Sequence, residues 1–352
     1  MFGTYRTILA LMVVAVHIGG IPKVGAYAVF GFFALSGYLM TFIMHRNYSY
    51  SANGIGKYAL NRVLRIYPLY ILSISFSLLL IFLLGSDYTS TYQKYIGMPS
   101  DLIQILKNLF LFLDYMDPVR LTPPAWALTV EIFFYILIGL GLSRCRSVTW
   151  IWFVSSVAYH LFSIVSNAGW EARYFTIYAA SLPFSAGALV FHYKKEIGEK
   201  IELLHSAIKL GLPFLLFAAI SINWLIGYLT KTSETVAFYS NFLLCLLMIM
   251  VLCNTRDLPF ISKRFDKFCG ELSYPIYLLH LQVAMVTMFV MNASGVNVKR
   301  PDLLLFVVAT PIILLVAWGV AVWIERPIEA VRSRVKSVGV VPTSLHKSPA
   351  SQ

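Results

Sequence analysis

Ten apolar runs, each close to the roughly 20 residues that a helix needs to cross a bilayer, decide what this 352-residue chain can fold into. They fall at about 7–22, 26–44, 66–84, 125–142, 149–166, 174–191, 208–227, 236–253, 275–291 and 303–324. Hydrocarbon offers no water to backbone N–H and C=O groups, so runs that face lipid must be helices. Composition points the same way: charged residues are 12% of the chain, against about 25% in a soluble domain. The expected fold class is an all-α integral membrane protein of about ten transmembrane helices. Residues 1–330 form the membrane domain and 331–352 a cytoplasmic tail, expected to be disordered where it is rich in Ser and Pro. No internal repeat and no second, soluble domain is evident.

Short cytoplasmic loops are enriched in Lys and Arg. With the N-terminus inside, one face carries Arg6, the Arg46–Arg65 cluster, Arg144 and Arg146, the Lys194–Lys209 group, the Arg256–Lys267 group and the tail from Arg326. Together these are most of the 28 basic residues. Both termini are then cytoplasmic. The same distribution accounts for the net charge of +12 and leaves no basic patch with interleaved aromatics, so nucleic acid is not an expected partner. Cys145, Cys245, Cys253 and Cys269 show neither CxxC nor Cys/His metal spacing, and no metal site is expected. The first run has the look of a signal peptide, but the histidine inside it speaks against cleavage. Residues 85–124 make one long outer loop whose apolar piece Ile105–Leu113 is too short to cross, and so suits a re-entrant or interfacial segment.

Ionisable side chains within such runs are costly and tend to be functional. Arg6, at the start of the first run, and His17 within it are eleven residues apart, hence on one helical stripe about 16 Å apart along the axis. Glu131 interrupts the fourth run, and its expected depth lies within about 3 Å of that of His17, so the carboxylate is expected to steady the imidazole. A buried histidine and a neutral, protonated Glu131 are the structural alternatives. Gly31, Ala34 and Gly37 form a narrow ridge for close helix packing, with the Ser36 hydroxyl beside it. Arg62 and Arg65, three apart, offer two guanidinium forks to phosphate oxygens, or simply anchor helix 3. Ser273-Tyr274-Pro275 marks a helix start, followed by Tyr277 and His280 on one face. Glu325 sits among arginines, where an ion pair that fixes them is the modest expectation. Trp126 opens the helix that carries Glu131. His160 and His192 are left as structural.

Taken together, these stretches resemble acyltransferase family 3, the integral-membrane O-acyltransferases that decorate bacterial surface and secreted glycans. The carriers are the Arg6/His17 spacing, Phe32-Phe33-x-x-Ser36-Gly37, Arg62-x-x-Arg65-Ile-Tyr-Pro, Trp126-x-x-x-x-Glu131-x-x-Phe-Tyr, Tyr274-x-x-Tyr277-Leu-Leu-His280 and Glu325-Arg-Pro327. Each is weak alone; six in order across nearly the whole chain are specific. Ala127 departs from the serine common in the family at that place, and the soluble domain fused to some members is absent.

The resemblance implies a bacterial inner-membrane, multi-pass enzyme with no tightly bound cofactor. Its donor is acyl-CoA, most often acetyl-CoA, and its acceptor a sugar hydroxyl of a glycan or lipid-linked saccharide. Arg6, Arg62 and Arg65 would hold the donor phosphates, while His17, steadied by Glu131, would act as base. The alternative from another class is a proton-coupled transporter using His17 and Glu131. The acceptor sugar, the acyl chain and the choice between direct transfer and an acyl-enzyme are not legible.

Overall fold

A computed structural model describes residues 1–230, 234–255 and 257–337, with Ala207, Lys336 and Ser337 described in their backbone alone. Arg256 and the tail from Val338 lie outside the described residues. All named elements are helical: α1 Gly3–His17, α2 Val24–Ile43, α3 Ala52–Leu84, α4 Ser86–Tyr92, α5 Leu102–Phe110, α6 Trp126–Gly139, α7 Arg146–Val165, α8 Trp170–Tyr174, α9 Ile177–His192, α10 Lys194–Glu202, α11 Ser206–Thr230, α12 Glu234–Leu252, α13 Lys263–Ala293, α14 Leu303–Val320 and α15 Arg326–Ser337. Among the described residues, eight helical stretches are long and apolar enough to cross a membrane. The other two expected spans are present as shorter apolar helices, Gly3–His17 and Pro123–Gly139. Polar side chains such as Asn61, Ser73, Asn241, His280 and Gln282 are buried, while Ile151, Phe162, Leu215, Val307 and Leu315 are exposed. That inside-out distribution suits lipid as the outer solvent, and the chain is a multi-pass membrane protein.

α1 is held between α2 and α13. α2 packs along α9 and against α12, α7 lies on α9, and α14 on α13. The expected small-residue ridge of α2 makes the α2–α9 crossing. A Cβ on Gly37 would lie 2.1 Å from the Phe184 carbonyl oxygen, and one on Gly187 would lie 1.9 Å from that of Ala34. Only glycine lets the two backbones come that close.

α1 and α13 run parallel in a fixed register. Asp266 accepts from the backbone N–H groups of Gly3 (3.1 Å) and Thr4 (2.9 Å) and so caps the start of α1. One turn on, the Thr7 hydroxyl donates to the Cys269 carbonyl at 2.5 Å. α1 stops at His17, about 25 Å along α13 from its start and about 20 Å from its end. Its last carbonyls find partners from a distant loop: Arg300 Nη1 donates to His17 O (3.1 Å) and the Asp302 N–H to Ile18 O (2.8 Å).

Four sequence-drawn boundaries differ from the structure. The first span does not run to residue 22; α1 ends at His17, which is therefore a helix terminus. Ser273-Tyr274-Pro275 is not a helix start: α13 begins at Lys263 with Ser262 as its cap, and Pro275 lies inside it. Likewise α3 begins at Ala52 and takes Pro68 into its interior. An interior proline removes one helical N–H bond, and neighbouring helices support what remains. α15 also continues past the boundary drawn at residue 330, and Arg332 Nε reaches the Asn61 side chain of α3 at 3.3 Å.

The 85–124 segment is folded rather than extended. Asn108, nearly fully buried, donates to Gln104 O and Val119 O and accepts from the Leu121 N–H. Tyr70 and Ser77 of α3 hold the same segment through Asn108 O and Leu121 O. Leu102, Ile103, Ile105, Leu106, Leu109 and Phe110 of α5 remain exposed, the apolar face that an interfacial helix presents to lipid.

Candidate active site

Three cavities follow one another past α1. The first, about 790 Å³, is basic: Arg6, Arg65, Arg264, Lys267, Arg326 and Arg332 line it with Glu271, Glu325 and Glu329. The second is a constriction of about 60 Å³ walled by Arg6, Val29, Phe32, Phe33, Glu131, Tyr274 and Tyr277. The third, about 330 Å³, holds His17 among Trp126, Trp170, Tyr174, Phe175 and Phe238. Arg6 is a wall of both the first and the second; Val29 and Tyr277 are walls of both the second and the third.

Within the basic cavity Arg65 Nη1 meets Glu325 Oε2 at 2.8 Å, and its guanidinium lies over the Tyr274 ring at 5.3 Å. Arg326 Nε meets Glu271 Oε2 at 3.0 Å. The ion pair expected at Glu325 is thus formed with Arg65, which holds one fork in place at the cavity wall. Arg6 makes no ion pair among the described residues and lines both cavities, with Glu325 among the walls of the first and Glu131 among those of the second. Arg62 does not join this group. It turns to a separate apolar groove between α3 and α6, bonding the Asn61 oxygen at 2.8 Å and stacking on Tyr58. A spacing of three along a helix permits one face but does not impose one direction on two long side chains.

His17 and Glu131 are not partners. Glu131 accepts from the Ser36 hydroxyl through Oε1 and from the Tyr135 hydroxyl through Oε2, both at 2.9 Å. His17 Nδ1 instead lies 2.9 Å from His280 Nε2, the two rings edge to edge with their planes 13° apart. The expectation failed because depth along an axis does not fix direction about it. Glu131 projects into the constriction and His17 into the third cavity. Tyr277 is the wall between them, pinned by its hydroxyl to Pro124 O at 2.9 Å. His160 bonds Tyr239 and Ala179 O, and His192 bonds Ser143 O, as structural histidines do.

The family model for the acyltransferase domain of acyltransferase family 3 matches residues 4–322, nearly the whole chain. The chain belongs to acyltransferase family 3. No curated protein and no solved structure matches it. This acyltransferase brings Arg6, Arg65 and Glu325 to one cavity, Glu131 and Tyr277 to the next, and His17 and Trp126 to the last. Ser36 and His280 stand behind Glu131 and His17. Membership favours acyl transfer over the transporter alternative. Sequence reasoning missed Arg264, Lys267, Arg326 and Arg332 as cavity residues, because cations that anchor a loop and cations that line a cavity look alike in a sequence. It also missed Tyr135, four residues after Glu131 on the same face, and Arg300, which no local pattern links to His17.

Proposed function

We propose that this membrane acyltransferase moves an acetyl group from cytoplasmic acetyl-CoA to a sugar hydroxyl of a surface or exported polysaccharide, in a bacterial inner membrane. The observation that carries this reading is the unbroken sequence of shared walls from the basic cavity through the constriction to His17. Six cationic side chains suit the nucleotide phosphates, which guanidinium forks grip in pairs. The narrow middle section suits the slender pantetheine arm and small acyl group. The third cavity, mostly aromatic with the Lys23–Glu234 ion pair among its walls, suits a sugar ring that presents both C–H faces and hydroxyls.

In the proposed step the acceptor hydroxyl gives its proton to His17 as its oxygen attacks the thioester carbonyl. The tetrahedral oxyanion collapses, the C–S bond breaks, and the thiolate recovers the proton from the imidazolium. The products are the O-acetyl sugar and free coenzyme A. Glu131, held by two hydroxyls, shapes the passage instead of steadying the base.

The test is coenzyme A release by purified protein in detergent, given labelled acetyl-CoA and a crude glycan acceptor. Release that labels the glycan and falls by about 10²-fold or more in His17→Ala supports the reading. Unchanged turnover in that variant removes His17 from the chemistry, and labelled glycan from no donor removes the activity.

A further inference from the structure

We infer that His280 is a positioning residue: it fixes His17 in the tautomer whose free nitrogen is Nε2, facing the third cavity. This rests on the base role proposed above.

Hydrogen-bond chemistry on the inner side of the pair decides the tautomer. His280 Nδ1 lies 2.9 Å from Tyr277 O and 3.2 Å from Ile276 O. Carbonyl oxygens only accept, so Nδ1 carries the hydrogen. A neutral His280 then presents Nε2 as a bare acceptor. His17 Nδ1, 2.9 Å away, must donate to it. The His17 hydrogen is thereby committed to Nδ1, and Nε2 keeps its lone pair. His17 is half-buried and lines the 330 Å³ cavity, whereas His280 is fully buried. No carboxylate bonds His17 among the described residues, so His280 does the work that an acid does beside many catalytic histidines. Arg300 and Arg120 are the other charges near the ring, and neither accepts a hydrogen bond.

The fold supplies the alignment this needs. Asp266 capping α1 and His280 facing His17 share one helix, so the cap that seats α1 on α13 also sets the two rings opposite each other.

His280→Gln and His280→Leu separate the roles. Gln keeps an acceptor oxygen near the former Nε2; Leu keeps bulk and loses the acceptor. We expect kcat to fall by about 10²-fold in the Leu variant and by less than about 10-fold in the Gln variant, with KM for acetyl-CoA unchanged in both. Equal losses in the two variants point to packing alone and overturn the inference, as do equal, wild-type rates. Wild-type protein labelled with 15N-histidine gives a second readout that needs no variant at His280. His17, assigned by the signals that vanish in His17→Ala, is expected to show a protonated Nδ1 and a bare Nε2. A bare Nδ1 overturns the inference even if the Leu variant fails to fold. If His17→Ala keeps wild-type turnover, the base reading falls, while the nitrogen spectrum still reports whether His280 sets the tautomer.

Discussion

His17 stands 263 residues before His280, the same separation that relates Gly3 to Asp266, so the two contacts are the ends of one parallel register between α1 and α13. The two contacts are fourteen residues apart on each helix, about 21 Å of shared axis. A shift of one residue would rotate each ring by about 100° and part the imidazoles.

Asp266→Ala tests that register. Losing an N-terminal cap costs about 0.5–2 kcal/mol, and here the carboxylate also accepts from the Thr4 hydroxyl at 3.0 Å. The expected result is a lower melting temperature and a lower kcat, although Asp266 is far from His17. An unchanged melting temperature would show that side-chain packing alone holds α1 in place.

Arg65 and Arg62 are expected to part company in kinetics. Arg65→Lys keeps a cation beside Glu325 but loses the planar fork, so KM for acetyl-CoA should rise by about 10-fold with kcat little changed. Arg62→Lys alters a residue of the apolar groove and should leave KM within about twofold. The opposite ranking would place the donor phosphates against α3 on the groove side. Lys at position 65 is preferable to Ala, because stripping Glu325 of its partner leaves a buried carboxylate unpaired, at a cost of about 3–5 kcal/mol.

The sequence made the helices and the residues legible, but not the directions in which side chains point. Runs of apolar residues report the order of the long apolar helices through a purely one-dimensional requirement for length and hydropathy. Gly37 and Ala34 announced a close crossing because small residues have few other uses at that spacing, though not that Gly187 would answer them. Proline misled at Pro275, which resembles a boundary in water and is interior in a bundle. The pairing of His17 with His280 in place of Glu131 depends on rotation about the helix axes, which tertiary packing sets and residue spacing does not.

The clamp on Glu131 links α2 to α6 across the constriction. Ser36 and Tyr135 each donate to a different carboxylate oxygen, and Tyr135 also approaches the Ser36 oxygen at 3.3 Å. A hydrogen bond to a charged group is worth about 1.5–3 kcal/mol. With one donor gone, the carboxylate can swing on the other; with both gone, it is free to leave the wall and meet Arg6, which borders the same space. Ser36→Ala and Tyr135→Phe are therefore expected to be mild alone, each lowering kcat by less than about 10-fold. The double variant should lose more than the product of the two, since residues in one network do not act independently. Steady-state rates for the four proteins of this cycle give the coupling directly. Strict additivity would mean that Glu131 is held by its own helix packing and that neither hydroxyl positions it.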